Sequence, residues 1–474
     1  MSESKPTLLW FRRDLRLCDH EALCAAVARG GPVIPVFIRD TLVDQLGAAP
    51  KWRLGLSLAD LAARLEAKGS RLVLRSGAPL EVLRDIVAET GADTVFWSRA
   101  YDPDAIERDT AVKAGLQQDG LTAQSHKGHV LFEPWSVETK TGGFYKVYTP
   151  LWKAVRDRDV PDVLAEPGTI PQPDGWPKSE TLENWEMGRA MHRGAAVCHP
   201  YQRVGEAAAR DRLERFCAEA VGDYAIMRDR PGIDGTSGLS ENLSLGEISP
   251  RICWHAGRRA MAETGGEGPE TWVKELVWRD FAYHLAYHTP RILADNWRPE
   301  WDAFPWNEDE AHPDVVAWKH GRTGEPFVDA AMREMYVTGK MHNRGRMIVA
   351  SYLTKHLMTH WRIGQRWFDD CLTDWDPASN AMGWQWSAGS GPDATPYFRI
   401  FNPATQVEKF DTQGIYRHRW IAEGHANPSD TALSYFEAIP RAWNLQPDMA
   451  YPDPVVDLSM GRTRALEAYG ARSF

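Results

Sequence analysis

The sequence predicts two folds in one chain: an α/β domain built on a parallel sheet over residues 1–131, and an all-helical domain over residues 201–474, with a long linker at 132–200. Three observations predict this. The 474 residues exceed the roughly 250–300 at which a single hydrophobic core stops growing. The apolar pattern alternates short strand-like runs with helical stretches in the first part and is helical alone in the last. Between the two, Pro134, Pro150, Pro161, Pro167, Pro171, Pro173 and Pro177 break up any long element.

In chain order, Leu8–Phe11, Val33–Ile38, Leu72–Arg75 and Thr94–Trp97 are β-branched or aromatic runs and read as strands. The segment from Trp52 to Lys68 sets Leu54, Leu58, Leu61 and Leu65 on one helical face, and a second helix follows Pro79 through Glu89. Strand, helix and strand in this rhythm imply a parallel, Rossmann-like sheet with crossover helices. The turn after the first strand carries Arg12, Arg13 and Asp14 instead of GxGxxG, so the glycines that admit a dinucleotide pyrophosphate are missing. Beyond residue 200, Ala207–Ala220, Trp272–Tyr287, Val328–Tyr336, Asn343–His360 and Trp367–Leu372 have helical spacing, and strand signals almost vanish.

The composition, 43% hydrophobic and 25% charged with no apolar run long enough to span a bilayer, excludes a helical membrane protein. The polar start Met1–Pro6 lacks a signal peptide core, which predicts a cytoplasmic location. Six cysteines without CxxC pairing read as thiols. His284 with His288 and His356 with His360 have the i, i+4 spacing of metal ligands but no third ligand, so no metal is expected.

A net charge of −10 speaks against a nucleic-acid partner, yet Arg333, Lys340, Arg344, Arg346, Lys355, Arg362 and Arg366 face a single acid, Glu334, over 34 residues. That local excess is what a DNA-facing surface on an acidic protein needs. Fourteen of the 21 tryptophans follow residue 200, more than packing a helical core requires.

WFRRDLRL (Trp10–Leu17), WVKELVWRDF (Trp272–Phe281), MHNRGRM (Met341–Met347), NAMGWQW (Asn380–Trp386) and PYFRIFNP (Pro396–Pro403) occur in the order found in the DNA photolyase/cryptochrome family, which the chain resembles along nearly its full length. It is most similar to the bacterial cyclobutane pyrimidine dimer photolyases. The resemblance implies FAD in the helical domain and light-driven repair of pyrimidine dimers in single- or double-stranded DNA, with the dimer flipped out and the protein monomeric. It implies a phosphate-binding stretch at Thr236, Ser237, Gly238, Leu239 and Ser240, with Gly238 where relatives often carry arginine. Tyr224, Trp272 and Arg279 accompany it, and Arg346 with Asp374, Asp376 and Asn380 would stand beside the isoalloxazine. An electron relay is implied from Trp384 through Trp361 to an exposed Trp306, with Trp301 close by. For the substrate, Trp278 and Trp386 match the stacking walls, Glu275 and Asn343 the polar contacts and Met347 the apolar floor, while Arg228, Arg279, Arg344, Arg399 and Gln406 touch DNA or hold the pocket.

Asn343 and Met347 stand where (6-4) photolyases carry a proton-donating histidine turn, and Asn380 where plant cryptochromes carry aspartate; both favour cyclobutane dimer repair over the (6-4) and signalling alternatives. In YDPDAIERD, Asp104 and Ala105 replace the residues that hold folate in folate-using relatives. The second, antenna chromophore is therefore left open among methenyltetrahydrofolate, a deazaflavin, a flavin and none.

Overall fold

Five strands, β1 (Thr7–Phe11), β2 (Val33–Arg39), β3 (Val73–Ser76), β4 (Thr94–Ser98) and β5 (Thr122–His126), form one parallel sheet in the order β3-β2-β1-β4-β5. The computed structural model describes residues 4–393 and 398–472. In register, Thr7 to Phe11 of β1 lie against Val33 to Phe37 of β2, and Thr7 to Trp10 against Thr94 to Trp97 of β4. β1 is buried along its whole length, as a parallel strand covered on both faces must be, which is why it reads as an unbroken apolar run. β5, with the sequence TAQSH, carries no such run because it is an edge strand, and its period alone does not announce it.

Strand order reverses between β1 and β4, where open α/β sheets usually open a ligand crevice. Here side chains crowd that place. Arg12 and Arg108 lie over the Trp10 ring at 4.5 and 5.0 Å, with Asp109 2.7 Å from Arg12 and Asp40 2.8 Å from Arg108. Asp102 caps the helix Pro103–Gln118 through the Ala105 N–H, so the YDPDAIERD stretch forms a helix start.

Residues 132–200 are more than a connection. They hold the helix Tyr148–Val155, which packs into the helical core, while Ile170, Trp185 and Met187 join the core beneath the sheet. Beyond them come the helices Gly205–Glu219, Pro250–Thr264, Glu267–His288, Pro326–Thr338, Asn343–Ser351, Trp361–Cys371, Pro377–Ala388 and Pro403–Phe410. The expected continuous helix from Asn343 to His360 is broken. A π-turn at Tyr352–His356 adds a residue to the helical register, Met358 adopts a left-handed backbone at φ 50°, and a new helix starts at Trp361. Apolar spacing survives such a break, so it was invisible in the pattern.

Buried charges tie the two halves together. Arg16, 1% exposed, donates to the carbonyls of Gly128 and Gly246 at 2.9 and 3.0 Å. Arg53 forms a two-pronged pair with Glu247 at 2.9 and 2.7 Å. No helix among the described residues is long and apolar enough to cross a membrane.

Candidate functional site

The helix Pro377–Ala388 is the centre of the site, packed by the helices Glu267–His288, Asn343–Ser351 and Trp361–Cys371. Its cap is Asp376, whose Oδ1 accepts from the Ser379 N–H at 2.9 Å. The Oδ2 atom of Asp376 takes the Tyr283 hydroxyl at 2.5 Å and the Arg13 guanidinium at 3.1 Å. Burial pushes this carboxyl up, but Arg13 and Arg279 outweigh it and hold it below the usual range. Two residues earlier, Asp374 accepts from Arg346 at 2.7 Å through Oδ2, while its buried Oδ1 has no partner among the described residues. A buried carboxylate oxygen left open fits an incoming N–H or O–H donor from a ligand.

Asn380 lies one turn into the helix. Its Nδ2 donates to Asp369 Oδ1 at 2.7 Å and to the Gln365 carbonyl at 3.3 Å. Both are pure acceptors, so the amide oxygen points away from them. Asp369, also bonded to the Trp375 indole N–H, is pushed up to about 6 by burial. Trp384 is buried on Gly364, where a side chain would overlap its ring, and meets Phe368 edge-on at 4.9 Å. Gly364 is one turn beyond Trp361, so Trp361 belongs to the helix on which Trp384 packs. Trp361 is fully buried and donates to Asn296 Oδ1 at 2.8 Å. Trp306 was expected to be exposed and is not: it keeps 8% exposure because Trp301 stacks on it at 5.7 Å and Phe304 lies at 4.7 Å.

In the loop Gly235–Ser240, Leu239 anchors in the core while Thr236, Ser237 and Ser240 remain accessible. Gly238 has φ 61°, a left-handed conformation that penalises any side chain, so arginine is disfavoured there on backbone grounds. A cation is nevertheless present: Arg212, from the helix Gly205–Glu219, donates to the Gly238 carbonyl at 2.7 Å. Tyr224 packs edge-on against Phe216 at 5.5 Å, under the Arg228 guanidinium.

The second cluster is aromatic and charged. Arg228 pairs with Glu275, whose carboxyl burial pushes up against the pull of that guanidinium. Trp278, one turn along, stacks face to face on Tyr148 with ring centroids 3.7 Å apart. Asn343 and Met347 share a helix face, Nδ2 to Sδ 3.9 Å. Arg344 pairs with Asp229 at 2.5 Å over the Phe410 ring. Trp386 is half-buried and stacks loosely on Phe401 at 6.4 Å, next to an exposed Arg399. Gln406 keeps a buried Oε1 without a partner among the described residues.

One expected residue faces elsewhere: Trp272 is core, wedged between Phe216 and Gly257. Arg279 donates to the His129 carbonyl at 2.5 Å, and its charge acts on Asp376. The basic excess at 333–366 is not a surface stripe either. Arg333 and Lys355 have no exposure, the first bonded to Glu423 at 2.6 and 2.9 Å and the second to the Ala388 carbonyl beneath Phe398. Counting charges along a chain ignores which helix face each one occupies. Residues 396 and 397 of PYFRIFNP lie outside the described residues. Tyr148, Arg212, Arg13 and Asp369 were missed. Only Tyr148 carried a signal, in the helical spacing of YTPLW.

Comparison with known proteins gives the family. Residues 7–171 match the DNA photolyase family model and residues 272–471 the model for the FAD binding domain of DNA photolyase. A deoxyribodipyrimidine photo-lyase of Agrobacterium fabrum is 46% identical over 99% of this chain and 98% of its own. The chain belongs to the DNA photolyase family. Within the family, an Escherichia coli deoxyribodipyrimidine photo-lyase is 34% identical over 98% of both chains. The crystal structure of a bacterial class III photolyase from Agrobacterium tumefaciens superposes with a TM-score of 0.91 at 45% identity, covering 99% of this chain and 98% of that one. An archaeal photolyase from Sulfolobus tokodaii, solved with two FAD molecules, superposes at 0.81 with 28% identity over 98% and 99%. This family member therefore carries an FAD-binding domain, and the open Asp374 oxygen and the glycine loop fit that cofactor.

Proposed function

We propose that this chain is a light-dependent deoxyribodipyrimidine photolyase that repairs cyclobutane pyrimidine dimers, acting on damaged DNA as a cytoplasmic monomer. One arrangement carries this reading: Trp278 and Trp386 as aromatic surfaces, with the Glu275–Arg228 pair and the Asn343–Met347 face beside them. A flipped-out dimer needs aromatic walls for its rings and a polar group for its carbonyl and N–H edge. Tyr148 backs Trp278 and fixes the plane of that wall. Glu275 accepts from the pyrimidine N–H, and Arg228 keeps its carboxyl oriented.

What bound FAD supplies is a light-excited electron, lent to the dimer and returned once the two carbon–carbon bonds of its cyclobutane ring have broken. Arg346, Asp374 and the oxygen of Asn380 would hold the ring system, and Thr236, Ser237 and Ser240, with Arg212 behind them, the diphosphate. Trp384, Trp361 and Trp306 carry electrons inward when the cofactor must be reduced. No acid is required for splitting, and the nearest histidine is unsuited to be one. Burial, with Arg344, Arg346 and Arg228, pushes His342 down to about 4, and its Nδ1 is committed to the Arg344 N–H.

A Synechocystis cryptochrome also superposes, with a TM-score of 0.84 and 29% identity over 99% of this chain and 100% of that one, so signalling is the second reading. The experiment is repair of a thymine-dimer oligonucleotide under blue light, with a dark control and a (6-4) photoproduct in parallel. Light-dependent loss of the cyclobutane dimer alone is expected. Photoreduction of the flavin without repair of either lesion would move the chain to the cryptochromes.

A further inference from the structure

We infer that the imidazole of His360 bridges Trp306 and Trp361, as a positioning residue that couples the outer indole of the relay to the buried one. This rests on reading Trp306, Trp361 and Trp384 as that relay. The His360 ring touches both neighbours, with centroids 5.0 Å from Trp306 and 5.5 Å from Trp361. Its backbone is locked to the Trp306 segment. The His360 N–H donates to the Asn307 carbonyl at 2.9 Å, the Asn307 N–H donates to the Met358 carbonyl at 2.7 Å, and Asn307 forms a parallel bridge with Thr359. The π-turn and the left-handed Met358 are what bring this segment alongside.

The ring's tautomer is set by its bond. Nδ1 accepts from the Arg362 N–H at 3.1 Å, leaving the proton on Nε2. Burial, with Arg362 and Arg366, pushes the imidazole down to about 4 against the pull of Asp302, so it is uncharged at neutral pH. A cationic ring here would oppose a positive hole moving between the indoles, whereas a neutral one does not. Helix capping alone would not select histidine, because asparagine, aspartate or serine accepts the same bond. In the step itself one electron passes from Trp306 to oxidised Trp361, which is restored. Oxidised Trp306, whose indole N–H stays bonded to the Thr354 carbonyl at 3.3 Å, takes one electron from an external thiol that gives its proton to water, and two of the resulting thiyl radicals join as a disulfide.

The test uses the full-length, FAD-loaded protein, blue light and a thiol, and follows loss of oxidised-flavin absorbance alongside thermal unfolding. His360→Asn keeps the cap acceptor and removes the ring; severalfold slower photoreduction at an unchanged unfolding temperature is expected. His360→Phe keeps a ring and removes the acceptor; near-native photoreduction at a lower unfolding temperature is expected. Native-rate photoreduction by His360→Asn, or equal slowing in both variants, overturns the proposal. Trp361→Phe separates the two readings. If it stops photoreduction while His360→Asn does not, the relay stands and the bridge falls; if it too photoreduces at the native rate, the relay itself is wrong.

Discussion

Replacing Arg53 by methionine tests how the two halves of the chain are held. Arg53 and Glu247 have no side-chain exposure, and two bonds of 2.9 and 2.7 Å join them. Glu247 also accepts from the Gly205 N–H at 3.0 Å and from Asn242 Nδ2 at 2.6 Å, just after the Gly235–Ser240 loop. Arg53→Met leaves Glu247 charged, buried and without its counter-ion, and Glu241, 3.9 Å from Arg53 Nε, loses a further positive neighbour. Breaking a buried pair from one side costs about 3–5 kcal/mol, a large share of the roughly 5–15 kcal/mol that keeps a domain folded. Urea unfolding followed by tryptophan fluorescence reads this cost, and flavin absorbance after gel filtration reads whether the loop still retains cofactor. Adding Glu247→Gln removes the stranded charge but keeps an acceptor for only one of the two donors, Gly205 N–H on Oε1 or Asn242 Nδ2 on Oε2, so the double variant should recover part of the loss. A single-variant cost under about 1 kcal/mol, the range of an exposed pair, would refute this account, as would a double variant no more stable than the single one.

Three further outcomes follow from the same structure. Glu275→Ala should weaken binding of dimer-containing oligonucleotide roughly 10- to 100-fold, the worth of a hydrogen bond to a charged group at about 1.5–3 kcal/mol, in a filter-binding titration; unchanged binding and repair would remove Glu275 from the pocket. Asp280 accepts from the Leu131 and Phe132 N–H groups, and burial pushes its carboxyl up to about 7. Its folded-state pKa is raised, so the folded protein carries the extra proton; stability is greatest below the ordinary carboxylate range and falls as pH rises through about 7, by up to about 1.4 kcal/mol per unit. Asp280→Asn should flatten that slope in urea midpoints measured on both sides of the window, and an unaltered slope would count against it. Gly238→Ala forces a side chain into φ 61° with only the Arg212 guanidinium nearby at 3.8 Å, so about 1–2 kcal/mol of backbone strain is expected, seen as faster FAD loss in dialysis; Gly238→Asn should be milder.

Which parts of this were legible beforehand depends on what each residue does locally. β1, β2 and β4 were legible because inner parallel strands concentrate apolar residues; of the two edge strands β3 was legible from its apolar Val73 and Leu74, and β5, TAQSH, has no such run. The break between Ser351 and Trp361 was hidden because a π-turn leaves apolar spacing nearly intact. The pairing of Arg346 with Asp374 followed from motif resemblance, but that of Asn380 with Asp369 depends on how two helices cross, which no spacing along one helix reports. Arg333 and Lys355 illustrate the opposite error. They looked like surface charge and are buried, one satisfied by Glu423 and the other by a carbonyl and an aromatic face.

Asp376 connects these observations to function. It caps the helix that carries Asn380, Trp384 and Trp386, and the same carboxyl accepts from Arg13, in the turn after β1 where a nucleotide-binding sheet would have glycines. The sheet-bearing half therefore acts on the site without lining it. Moving Arg13 would leave a buried carboxylate short of its main counter-charge at the N-terminus of that helix, with the Ser379 N–H, the Tyr283 hydroxyl and the charge of Arg279 remaining. Because one helix presents the proposed cofactor contact, Asn380, the proposed first indole, Trp384, and one proposed aromatic wall, Trp386, a shift at its cap displaces all three together. On this reasoning Arg13 docks the two halves in one register, while Arg12, paired with Asp109 over the Trp10 ring, fills the place between β1 and β4.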